Sequence, residues 1–147
     1  MPDAETLRAK FYELSKKVHP DRFAEGHGQE ATYSARWSNL VNRAYQTLKD
    51  RERTALYLLG GELKSNQVPL DLAETYFDLQ DALGEPEGKA RLVAFKSELE
   101  KLREASDADW AKVNERWRAT KDDNLIRTQL TRERYLASML ADIEKKL

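Results

Sequence analysis

Apolar residues recur at intervals of three and four along nearly the whole chain, and this period constrains the fold more than any other feature of the sequence. Leu7, Phe11, Leu14 and Val18 form one stripe; Tyr33, Trp37, Leu40, Val41, Ala44 and Leu48 form a second. Leu92, Phe95, Leu99, Leu102, Ser106, Trp110, Val113 and Trp117 make a third, and Ile126, Leu130, Ala137, Leu140, Ile143 and Leu147 a fourth. Spacings of three and four place residues on one face of an α-helix. Valine and isoleucine together number only seven of 147 residues, so little is present to build a sheet. The chain reads as all-α.

Local signals divide the stripes into elements. Asp3 can cap the first helix, because a carboxylate there accepts from orphan amides and suits the helix dipole. Pro20 stops that helix near Val18, since the residue before a proline is pushed out of the α region. A polar loop, Asp21 to Gly28, leads to a second helix over about 29–49, and the two form a helical hairpin over residues 1–50. Residues 51–68 read as a junction: a short apolar helix at Thr54–Leu59, closed by Gly60-Gly61, then a turn at Ser65–Pro69. Residues 69–147 read as three helices, at about 69–83, 86–118 and 125–147, packed as an antiparallel bundle. Ser106-Asp107-Ala108-Asp109 is a candidate break in the middle one.

Composition removes several classes of function. No cysteine is present, which excludes disulfides, thiol catalysis, thiolate zinc and iron–sulfur ligation by this chain alone. Twenty-five basic against 26 acidic residues leave no footprint for nucleic acid. No apolar run approaches the ~18 residues of a membrane span, and Met1-Pro2-Asp3-Ala4-Glu5 has neither the basic nor the apolar region of a secretory signal. A soluble protein of a reducing compartment is expected, with no cofactor. His19 and His27 are the only histidines. A metal site needs three or four convergent ligands, so an enzyme built on His19 and Asp21 is the weaker reading.

His19-Pro20-Asp21 sits where a basic amphipathic helix ends. The proline stiffens the corner, and an imidazole and a carboxylate two residues apart suit docking against a partner arginine. Lys16-Lys17-Val18-His19-Pro20-Asp21-Arg22-Phe23, with Val41-Asn42-Arg43-Ala44-Tyr45-Gln46-Thr47-Leu48-Lys49-Asp50 at the end of the next helix, resembles the J-domain proteins, co-chaperones of DnaK-type ATPases. Arg53-Thr54-Ala55-Leu56-Tyr57-Leu58-Leu59 and the bundle beyond it resemble the HscB-type branch, which serves iron–sulfur cluster assembly. The family's leading J-domain helix has no counterpart ahead of Asp3. The resemblance implies a chaperone-ATPase contact through His19, Pro20, Asp21, Arg8, Lys17 and Arg22, supplemented by Lys10 and Lys16. Tyr12 and Glu13 stand where the family often has basic residues.

A second surface is readable on the helix at 69–83. At about 100° per residue, Leu72, Tyr76, Leu79 and Leu83 fall within about 60° and form the core stripe, whereas Phe77 lies about 140° from Leu72. The fifteen residues hold four acids and no base. Tyr135 on the last helix points about 180° from Ile126, with Met139 near it. An outward apolar patch with an acidic rim is a binding-site signature. Resemblance to HscB implies that Ala73, Glu74, Phe77, Asp78, Asp81 and Tyr135 bind the scaffold protein IscU, although Ala73 and Glu74 stand where larger apolar residues are usual. Trp110 and Trp117 are expected in the core. The expected function is that of a bacterial cytoplasmic co-chaperone, which performs no chemistry itself, stimulates a DnaK- or HscA-type ATPase and brings IscU to it. The alternative is a J-protein or helical adaptor serving another client.

Overall fold

The computed structural model describes residues 2–19, 29–63 and 67–147. Its described residues form six α-helices and no strand, in two compact units, Met1–Gly60 and Gly61–Leu147. In the first unit α1 (Ala4–Val18) and α2 (Gln29–Leu48) are followed by the short α3 (Arg51–Leu58). In the second, a 3₁₀ turn at Leu70–Leu72 leads into α4 (Ala73–Gly84), α5 (Lys89–Thr120) and α6 (Asp123–Lys146).

Helix α1 starts where its cap dictates. The Asp3 carboxylate accepts from the Thr6 backbone N–H at 3.0 Å and from the Thr6 hydroxyl at 2.9 Å. These bonds, the backbone one foremost, hold the Asp3 carboxyl below the ordinary aspartate range. A depressed pKa means that the cap stabilises the helix above the unfolded-chain value and is lost as pH falls through the lowered one. Amide exchange at Thr6 and Leu7 is therefore expected to accelerate below about pH 4, the region where a free aspartate titrates. Exchange indifferent to pH there, after correction for intrinsic rates, would remove the cap from the account.

The hairpin is antiparallel: the Ser34 hydroxyl donates to the Val18 carbonyl at 2.7 Å, and the Phe11 ring stacks on Tyr45 with centroids 4.2 Å apart. It has little interior. No residue of α1 is buried, and Trp37 and Leu40 on α2 are each 54% exposed. Between the helices runs an apolar groove of about 320 Å³, walled by Leu7, Phe11, Leu14, Trp37, Leu40 and Leu48. Helix α3 is capped by Asp50, whose carboxylate accepts from the Arg53 N–H at 2.9 Å. The Thr54 hydroxyl ties α3 to the end of α2 through the Thr47 and Asp50 carbonyls. Gly60 and Gly61 follow at φ of 82° and 95°, a left-handed backbone that side-chain-bearing residues rarely adopt.

The second unit has a continuous core. Leu72, Leu79, Leu92, Leu99, Leu136, Met139, Leu140 and Ile143 are buried together, with Tyr76, Phe95, Leu102 and Tyr135 half-buried against them. Helix α5 runs 32 residues, about 48 Å at 1.5 Å per residue. Lys121, left-handed at φ 55°, and the Asp122 cap reverse the chain in two residues, so α6 returns along α5. The start of α5 requires Gly88, because a Cβ there would lie 2.7 Å from the Ala82 carbonyl oxygen.

Several sequence expectations change. The helix expected over 69–83 begins as a 3₁₀ turn and becomes α-helical only at Ala73. Helix α5 passes unbroken through Ser106–Asp109. Ser106 is fully buried, and the Gln129 side-chain amide donates to its carbonyl at 2.8 Å and its hydroxyl at 2.9 Å, so the polar residue is satisfied inside the bundle. Trp110 is buried as expected, and its indole N–H donates to Glu133 at 2.5 Å. Trp117 is not in the core. It lies half-buried at the α5–α6 turn, donating to Asp123 at 3.0 Å, with the Lys121 ammonium 4.3 Å from its ring centroid. Met139, placed on the outward side by the helical wheel, is 1% exposed, because α6 packs on α4 as well as on α5.

Candidate functional site

Each unit carries one candidate surface. In the first, α1 ends at His19, which is exposed, with extended backbone at φ −60° and ψ 133°. The chain thus leaves the helix one residue ahead of Pro20, as the steric restriction on the residue before proline requires. Pro20, Asp21 and Arg22 lie outside the described residues. Arg8 is exposed on α1. Lys17 is exposed and paired with Glu13 at 3.3 Å, and Lys10 lies 3.8 Å from the same carboxylate. Glu13, standing where a base was expected, therefore bridges two lysines one turn apart on either side. Exposed pairs of this kind contribute about 0.3–0.5 kcal/mol, so both lysines are available to an external carboxylate at small cost.

In the second unit, the site is the outer face of α4. Its residues are placed by the burial of Leu79 and Ala82 on the opposite side, both 0% exposed. That burial turns Phe77 outward at 63% exposure, with Glu74, Asp78 and Asp81 exposed around it and Ala73 half-buried. Leu70, in the 3₁₀ turn ahead of the helix, is 95% exposed. Five of the six residues expected at this surface thus lie on α4 and are accessible in varying degree. The sixth, Tyr135 on α6, is half-buried against the core rather than standing free.

Tyr76 joins them. Its ring meets Phe77 edge-on, with centroids 5.7 Å apart and planes at 77°, and meets Tyr135 edge-on at 5.8 Å and 87°. Such T-shaped contacts are the favoured geometry of aromatic quadrupoles. Sequence reasoning assigned Tyr76 to the core stripe alone. The available signal was the adjacency of two aromatics, Tyr76-Phe77, at the point where the helix turns from its buried to its exposed side.

Among the described residues no three His, Asp or Glu side chains converge in a way that could hold a metal ion, and no helix is long and apolar enough to cross a membrane. The bundle face offers an aromatic ledge with an acidic rim. The hairpin offers a basic helix leading to the His19 corner.

No family model matches the chain. A co-chaperone protein HscB homolog from Aliivibrio salmonicida (strain LFI1238) is 32% identical over 117 residues, covering 73% of this chain and 68% of that protein. Two solved structures share the fold. The chaperone HscB from Vibrio cholerae superposes with a TM-score of 0.58 at 24% identity, covering 99% of this chain and 89% of its own. Human co-chaperone protein HscB gives a TM-score of 0.66 at 24% identity, covering 99% and 75%. A relative 32% identical, matched over more than two thirds of its own length, decides the family, and the six-helix fold agrees with it: the chain belongs to the HscB co-chaperones.

Proposed function

We propose that the protein stimulates the ATPase of a DnaK- or HscA-type chaperone and delivers the iron–sulfur scaffold IscU to it, acting in the bacterial cytoplasm and catalysing no reaction itself. The hairpin over residues 1–50 docks on the ATPase, the segment 51–68 joins it to the bundle, and the bundle over 69–147 holds the scaffold. The observation that carries the scaffold half is Phe77, a large apolar side chain 63% exposed on a helix where Glu74, Asp78 and Asp81 are exposed around it. Apolar anchors ringed by polar groups are where interface energy concentrates. Ala73, Glu74, Asp78, Asp81 and Tyr135 complete that surface.

On the ATPase side, His19, Pro20 and Asp21 are the docking residues, and Arg8, Lys17 and Arg22 add positive charge along the same stretch of sequence. Stimulation requires that these residues bind the hydrolysis-competent state of the partner better than the resting state, since equal affinity for both shifts nothing. Bringing IscU to the same complex raises its effective concentration there. The iron–sulfur cluster is the scaffold's cargo throughout.

Steady-state ATP hydrolysis by DnaK or HscA tests both halves. The wild-type protein is expected to stimulate it, and more so with IscU. Asp21→Asn is expected to reduce the stimulation to near background, because the amide loses the charge that pairs with arginine. Phe77→Ala is expected to keep basal stimulation while weakening IscU binding about thirtyfold, the scale of a ~2 kcal/mol hot spot. Stimulation indifferent to IscU would assign the protein another client. Full activity in Asp21→Asn would overturn the docking corner.

A further inference from the structure

Phe77 and Tyr135 are 58 positions apart, on different helices. Tyr76 contacts both. Neighbouring residues on a helix point about 100° apart, so an edge-on contact between Tyr76 and Phe77 constrains the side-chain torsion of each. Tyr76 is itself held: its ring is half-buried against the core built around Leu79, Leu136 and Met139. Phe77 is 63% exposed, so burial in the core does not hold it.

We infer that Tyr76 is the positioning residue of the scaffold-binding face, fixing the Phe77 side chain in one rotamer and joining it to Tyr135 as a single aromatic ledge. The inference rests on the scaffold reading for its consequence but not for its mechanism. A side chain already in its bound rotamer has no ordering cost left at association. An aliphatic residue at position 76 would cover the core side of the site in part and would lose both edge-to-face contacts. Position 76 therefore demands a ring rather than mere bulk. The Tyr76 hydroxyl is dispensable to this role, and Tyr76→Phe is expected to behave as wild type.

The test compares Tyr76→Leu, Tyr76→Phe and Phe77→Ala, each in the full chain. In the free protein, three-bond couplings of Phe77 are expected to report one χ1 rotamer in wild type and Tyr76→Phe, and rotamer averaging in Tyr76→Leu. A single Phe77 rotamer surviving in Tyr76→Leu would overturn the inference without reference to any partner. By calorimetry, Tyr76→Leu is expected to weaken IscU binding five- to tenfold, with Tyr76→Phe restoring it. In a Phe77→Ala background Tyr76→Leu should have little further effect, because the residue it orients is gone. Equal losses in both backgrounds would make Tyr76 a direct contact or a packing residue and would overturn its positioning role. A silent Phe77→Ala, alongside rotamer averaging in Tyr76→Leu, would sink the scaffold reading and leave the intramolecular mechanism standing.

Discussion

Leu99→Ala is expected to destabilise the Gly61–Leu147 unit by about 3–4 kcal/mol, within the range of leucine truncations in packed cores. Leu99 is 0% exposed about a third of the way along α5, with Leu72, Leu79, Leu136 and Ile143 in the same buried cluster. The cost combines lost transfer energy with the cavity left behind, and the cavity persists because the surrounding residues come from three helices and a 3₁₀ turn that cannot all close in together. A domain of this size has about 5–15 kcal/mol to lose. Urea unfolding measured by tryptophan fluorescence checks the value. In a Trp37→Phe background only Trp110 and Trp117 report, and both lie in this unit. A loss below 1 kcal/mol at unchanged denaturant slope would mean that Leu99 is not the packing centre described.

Gln129→Leu is expected to cost about 1–3 kcal/mol, and the companion change Ser106→Ala to recover much of it. Gln129 is 7% exposed and Ser106 0%, and the two bonds between them are the means by which a polar pair survives inside the α5–α6 contact. Removing the amide strands a buried hydroxyl, and an unpaired polar group costs more than the bond was worth. Removing the hydroxyl as well replaces the pair by apolar surface, which is close to neutral. The double variant should therefore be more stable than Gln129→Leu alone. Strict additivity of the two single changes would show that the groups do not act as a pair.

The particular residues show what the sequence could and could not convey. Stripes at three- and four-residue spacing located the helices closely, as did Asp3 and the proline after His19, because each acts through local sterics or local hydrogen bonds. Wheel arithmetic failed where a helix has two neighbours. It assumes one buried face, so Met139 and Tyr135 were read as outward, although α6 is covered by both α5 and α4. Trp117 fits the apolar stripe but falls at the last turn of α5, where the bundle opens and Asp123 takes its N–H. Ser106 looked like a breaker because its partner, Gln129, lies 23 residues away. The acidic rim and Phe77 were legible, since charge and helix phase are local properties. Tyr76 was not, because its role depends on Tyr135, and no helix phase reveals a contact with another helix.

The exposure of α1 has a consequence for affinity. A helix with no fully buried residue, held by half-buried ones such as Phe11 and Leu14, opens at lower free-energy cost than one in a closed core, and α1 is the element that carries the polypeptide to His19. Whatever recognises that corner binds only the fraction of molecules in which α1 is formed, so the apparent dissociation constant is the intrinsic one divided by that fraction. Occupying or filling the groove beside Trp37 and Leu40 raises the fraction. Under the proposed function, docking is therefore tunable through the apolar wall of the hairpin, with His19 and its neighbours unchanged.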